Sequence, residues 1–186
     1  MSLDVVDWSP DYQEVRLDTA RVLKISRAFP HEAESFYGVF VATSDEARLF
    51  LVIHDVLIAD GASLVRPRDI AFETAEPTGE FMRSVVETKL AGALPLVPKL
   101  SAITFPAFCN WLRKAGVSAA FFKEESEDAG RQVGRVASVE ADAVVVDTVT
   151  TSGEPDGPWR IRFDDLTRID CLGEYERSFD LVRAGA

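Results

Sequence analysis

The 186-residue sequence predicts a mainly β fold with short helices (α+β): two tandem small five-stranded barrels from an internal duplication. Three observations predict it. The hexapeptide GEFMRS at 79–84 returns as GEYERS at 173–178. Sliding the chain against itself by 96 positions superposes Pro10 on Pro106, Tyr12 on Phe108, Gly38 on Gly134 and Asp60-Gly61 on Asp156-Gly157. Arg66 then meets Arg162, and Asp69-Ile70 meets Asp165-Leu166. Only eight of the 61 positions from 10–70 to 106–166 are identical. The weight lies in their kind, because Gly and Asp-Gly mark backbone angles that other residues avoid. Finally, each copy holds about five short strand-like runs in some 60 residues, a number that buries a core by curling into a small barrel.

The second copy reads more clearly. In TFPAFCNWLRKAG, Phe105, Phe108, Trp111 and Leu112 form one stripe of a short helix. Pro106 suits its first turn, Arg113 and Lys114 its last, and Gly116 its C-terminal cap. VSAAFFKEE, QVGRVASVE and AVVVDTVT follow as strands, the first two separated by an acidic loop, ESEDAG. SGEPDGP reads as a turn. WRIRF alternates Trp159, Ile161 and Phe163 with Arg160 and Arg162, the period of a strand. DLTRID adds a last strand and GEYERSFDLVRAGA a closing helix. ARVLKISRAF, YGVFVATS, ARLFLVIHDVLI and ASLVRPRDIAF fill the same slots in the first copy, after PDYQEVRLD, a poorer leading helix. The units are 8–92 and 106–186, with a proline-rich connector at 93–105. The expectation is one body with a pseudo-twofold, packed through that connector.

This helix-plus-five-strands unit resembles the Sm-like and SH3-like small barrels. VGRVASVE through DDLTRIDCLGEYERSF further resembles a group of uncharacterised bacterial proteins ending in D-I-T-x-I and G-x-Y-E. The resemblance implies the fold and carries no catalytic residue. Sm proteins hold uridine-rich RNA with an Asp…Asn loop and an Arg-Gly loop. The corresponding later segments here are RPRDI and RFDDL, without Arg-Gly.

Thirty-one acidic residues against 20 basic give a net charge of −11. Phosphate backbones are gripped by Lys and Arg, so this balance disfavours nucleic acid and suits a basic protein partner. Cys109 and Cys171 form no C-x-x-C pair, which points to a reducing cytoplasm. The N-terminus has no signal-peptide pattern, and LAGALPLVPKLSAITFPAF carries three prolines and Lys99, which excludes a membrane helix.

Candidate chemistry is sparse. His31 sits in a polar loop, and His54 lies in an apolar run as a hydrogen-bonded core residue. Neighbouring Asp55 points to the opposite face of the same strand. DGASL lacks the second glycine of a nucleophile elbow. Cys109 reads as packing, while Cys171 before the closing helix is the one place where a thiolate would be favoured. Glu124, Glu125, Glu127 and Asp128 lack calcium-loop spacing and read as a solvated turn. The residues best suited to touch a ligand or partner are Trp159, Arg160, Arg162, Arg66 and Arg68. On alternation, Trp159 and Ile161 line the barrel, and the arginines face solvent or pair with Asp164 and Asp165. Glu80 and Glu174 suit a first helical turn, with Arg83 and Arg177 three residues on.

These readings favour a non-catalytic protein-binding or scaffold protein without metal or cofactor, of the immunity or inhibitor kind. The alternatives are an Sm-like nucleic-acid binder and, behind it, a small enzyme.

Overall fold

The computed structural model describes residues 12–14, 22–28, 35–53, 59–74, 84, 88, 96–125 and 130–184. Its dominant element follows from runs such as RLFLVI (48–53), in which apolar residues are continuous. Such a strand needs both faces covered. Phe50 joins Ile25 and Val65 in a small cluster on one face, while Leu49, Leu51 and Ile53 enter the main core on the other.

The first half contributes β2 (Val22–Arg27), β3 (Phe36–Thr43), β4 (Arg48–Ile53), β5 (Ala59–Val65) and, after a 3-10 turn at Pro67–Asp69, β6 (Ile70–Thr74). The second contributes β8 (Ala119–Lys123), β9 (Gly130–Val139), β10 (Ala143–Val149), β11 (Pro155–Arg162) and β12 (Arg168–Cys171). The fold is mainly β with short helices, but it is not a pair of barrels. All ten strands form one open antiparallel sheet in the order β11-β10-β9-β8-β12-β5-β4-β3-β2-β6.

Each half nonetheless has the same internal order, with its fifth strand beside its first and its fourth at the far side. The equivalence holds in detail. Gly61 and Gly157 both take left-handed φ, 83° and 92°. A Cβ on Gly38 would meet the carbonyl of Leu51, and one on Gly134 the carbonyl of Asp147, again 96 residues on.

The halves meet where β12 pairs with β5, in the register Arg168↔Val65, Ile169↔Leu64, Asp170↔Ser63 and Cys171↔Ala62. Unlike edges therefore join, fifth strand to fourth, so the expected pseudo-twofold is replaced by a head-to-tail repeat. Leu49, Leu64, Ile169 and Phe121 are successive register partners across β4, β5, β12 and β8, and all four are fully buried. That apolar row runs straight through the seam.

The connector also differs from expectation. It contains β7 (Leu96–Pro98), which pairs with β1 (Tyr12–Glu14). The stretch read as a leading helix thus supplies a strand, because its partner lies more than 80 residues away, beyond the reach of local periodicity. The helix α1 (Phe105–Ala115) is as expected. Thr104 caps it by accepting from the Ala107 N–H, its stripe is buried, and Gly116 ends it at φ 65° with its N–H on the Leu112 carbonyl. Tyr12 packs edge-on against Trp111, which stacks on Phe108. SGEPDGP is only partly a turn, since β11 already begins at Pro155.

The closing helix α2 (Glu174–Ala184) starts on the seam, its Glu174 N–H donating to Asp60 Oδ1 at 2.7 Å. Tyr175 and Phe179 form an i, i+4 pair, with ring centroids 5.2 Å apart. In the first copy of the hexapeptide, positions 79–83 lie outside the described residues. Ser84 and Thr88 are helical, with the Thr88 hydroxyl donating to the Ser84 carbonyl. No helix among the described residues is long and apolar enough to cross a membrane.

The paired glycines give a matched test. A Cβ at residue 61 would sit 2.2 Å from the Cys171 carbonyl across the seam, whereas one at residue 157 meets nothing within 4 Å. Gly157→Ala then carries only backbone strain, about 1–2 kcal/mol. Gly61→Ala must also separate two main chains and should cost about 4 kcal/mol or more. Chemical-denaturation midpoints of the two variants measure the difference.

Candidate functional site

The five candidate contact residues fall into two groups. On β11, Ile161 is buried and Trp159 packs partly against the core, so Arg160 and Arg162 face outward as the alternation requires. Arg162 reaches the expected Asp164, Nη2 to Oδ2 at 3.3 Å. Arg160 turns instead to the β9–β10 loop, with Nε 2.9 Å from Glu140 Oε2 and Nη2 3.0 Å from Asp142 Oδ1. Those carboxylates raise its pKa, holding it charged.

Arg66 and Arg68 belong to the turn between β5 and β6, beside the seam. The Arg66 side chain is buried and almost fully committed. Its Nε donates to Asp69 Oδ2 at 2.6 Å, Nη2 pairs with Glu125 Oε2 at 2.8 Å, and Nη1 donates to the Asp164 carbonyl at 2.8 Å. Burial opposes the Arg66 charge, but Asp69 and Glu125 more than offset it, and the guanidinium pKa ends raised. At Asp69, 2% exposed, burial dominates and lifts the carboxyl above its usual value. Glu125, on the surface, is held below the usual range by its hydrogen bond from Arg66. Arg27 is buried nearby; burial lowers its pKa, and Glu124 partners it across the seam.

The acidic run is therefore not a solvated turn throughout. Glu124 and Glu125 are the second half's share of the seam's ion pairs, while Glu127 and Asp128 lie outside the described residues. Among the described residues no group of three or more His, Cys, Asp or Glu is arranged to hold a metal ion.

Above Arg66 opens a cleft of about 320 Å³, at the small end of ligand sites. Pro67, Phe105, Pro106 and Phe163 give it an apolar floor, and Asp45, Glu46 and Asp164 stand on its rim with Arg68. Four segments distant in sequence converge there: the β3–β4 loop, the start of α1, and the turns that follow β5 and β11. Ser44 fixes the first by donating to the Ile103 carbonyl at 2.6 Å and accepting from the Ala47 N–H. Asp45 and Glu46 were not singled out from sequence. The available signal was Glu46 standing opposite Asp142 in the 96-residue register, an acid at the same loop position in both copies.

The remaining titratable candidates separate. His31 and His54 lie outside the described residues. Burial pushes both thiols up, and at Cys171 the neighbouring Glu176 and Asp170 add to the effect, the reverse of an activated thiolate. Glu176, in the first turn of α2, is buried over Gly173 at the seam. Burial, reinforced by Asp170 and Asp60, pushes its carboxyl up to about 7. It occupies the one hexapeptide position where the two copies disagree in kind, Met82 against Glu176.

Comparison with family models, curated proteins and solved structures finds no match for the chain.

Glu176 makes stability pH-dependent. Its folded pKa lies above the ordinary 4.5, so between pH 4.5 and about 7 the folded state binds more protons than the unfolded. Stability falls as pH rises through that window, and the loss is complete above it. At about 1.4 kcal/mol per pKa unit the loss reaches up to about 3 kcal/mol. Glu176→Gln should therefore stabilise the protein at pH 8 and change little at pH 4, as read from paired denaturation curves.

Proposed function

We propose that the chain is a non-catalytic protein-binding protein, of the immunity or inhibitor kind, whose acidic surface takes a basic segment of a protein partner. The observation that carries this reading is the cleft. Its floor of Phe105, Pro106, Pro67 and Phe163 suits the methylene stem of a lysine or arginine. The Asp45 and Glu46 carboxylates at its rim suit the cationic head, with Asp164, already paired with Arg162, beside them. Arg66, the cation beneath, is already neutralised by Asp69 and Glu125 and offers little to an anion.

The Sm-like nucleic-acid alternative needs arginines free to displace counterions from phosphates. Arg66, Arg135, Arg160 and Arg162 each carry a carboxylate partner, which favours the protein-binding reading. The same reading takes the two halves as Sm-like or SH3-like units derived from one ancestor by duplication. Its support is the shared strand order and the 96-residue register of Gly38/Gly134 and Gly61/Gly157.

A fluorescent Lys/Arg-rich peptide and an oligouridine of equal length separate the two readings. The peptide should bind at moderate salt, and the triple variant Asp45→Asn/Glu46→Gln/Asp164→Asn should weaken it about tenfold, roughly 1.4 kcal/mol. Neutralising Arg160 should leave the peptide's affinity unchanged. Tight oligouridine binding without peptide binding would transfer the case to the nucleic-acid reading.

A further inference from the structure

The seam shows what a β5-type edge does when open. The Arg66 N–H donates to the Thr167 carbonyl, so by antiparallel alternation Leu64 and Ala62 also turn their main-chain groups toward β12. Leu64 is fully buried against Ile169.

The same edge exists a second time, at the end of the sheet. β11 is the 96-residue counterpart of β5 and is the outermost strand. At the other end, β6 is the counterpart of β12. Phe72 pairs with Ser26 as Arg168 pairs with Phe122, 96 residues on in both strands. Among the described residues β6 is paired on one side only, with β2. The β11 of one molecule and the β6 of another thus repeat the two unlike edges that join inside the chain. A contact of that kind, once made, propagates head to tail into a ring or a filament.

The two edges differ where pairing would occur. Ala62 is replaced by Pro158, which has no N–H to give. Leu64 is replaced by Arg160, half-exposed and held by Glu140 and Asp142, whose burial would strip water from three charges. Ala59 is likewise replaced by Pro155. We infer that Pro158 and Arg160 hold the β11 edge closed to head-to-tail addition of a second copy of this chain.

Sedimentation velocity on the full chain tests this independently of any ligand. The wild type should run as a monomer. Pro158→Ala/Arg160→Leu should associate, its weight-average mass at least doubling over a hundredfold rise in concentration. Adding Glu73→Pro should return it to monomer. Glu73 is the counterpart of Ile169, whose N–H faces the seam, so proline there removes a donor from the open side of β6 without touching the β2 ladder. The single Pro158→Ala, which only restores an N–H on an exposed edge, should show the same association more weakly and guards against misfolding of the double variant. The inference is overturned if the variants keep the wild-type circular dichroism and thermal midpoint yet stay monomeric. It is overturned equally if the wild type already associates and Glu73→Pro abolishes that association.

Discussion

The pairing of β12 with β5 is the contact on which the rest of the molecule depends. It converts two five-stranded units into one sheet, and it decides which faces are buried. The side of β5 that carries Leu64 faces a core only because Ile169 and Phe121 continue the row beyond it. Truncating a fully buried leucine or isoleucine in such a row costs about 2–5 kcal/mol. The ion pairs that cross the same line, Arg27 with Glu124 and Arg66 with Glu125, act differently. Glu125 is nearly half exposed, and a pair of that kind contributes at most about 1 kcal/mol. Apolar contact therefore supplies the stability of the seam, while the charges select its register. A slip by one residue would turn Ile169 to the wrong face and part Arg27 and Arg66 from their carboxylates.

That division of labour explains the electrostatics of the surface. With 20 basic residues against 31 acidic ones, each arginine spent on structure leaves the outside more acidic. Arg27 and Arg66 are buried at the seam, and Arg168 sits between the Phe36 and Phe122 rings while pairing with Asp170. Carboxylates at loop tips, such as Asp45 and Glu46, are exposed and carry no such structural duty among the described residues. The cleft is where such carboxylates meet apolar surface, and its acidic lining follows from how the seam is built.

How much was legible in the sequence depended on range. The helix α1 was readable to its cap, because a stripe, a proline and a glycine lie within a dozen residues. WRIRF showed its alternation, and the 96-residue register located equivalent strands through Gly38, Gly134, Gly61 and Gly157. Fusion of the units was not readable. Edge-to-edge pairing uses main-chain groups that every residue but proline possesses, so Ala62 and Cys171 carry no local mark of being neighbours. The same reason hid β1 from view, since its partner Leu96–Pro98 is distant in sequence. Glu124 and Glu125 read locally as a solvated turn because their partners, Arg27 and Arg66, are likewise far along the chain. Of the candidate residues, Arg66 and Arg68 came to the cleft while Trp159, Arg160 and Arg162 stayed on the outer strand, a separation set by topology alone.

The internal repeat is most informative where it fails. Two copies of one unit, placed head to tail, have identical requirements inside each unit and different ones at the seam and the ends. Residues serving the interior recur: Ala47 and Ala143 are both fully buried, and Gly38 and Gly134 both yield to a neighbouring carbonyl. Residues serving position diverge. Ala62 and Leu64 face a partner strand, whereas among the described residues Pro158 and Arg160 face none. Glu176 is buried against the junction with Asp60, and its sequence counterpart is Met82. A carboxyl buried beside two other carboxylates destabilises the fold at neutral pH, so packing alone gives no reason to place one there. Differences between the copies thus mark the edges and the junction, and similarities mark the interior of each five-stranded unit.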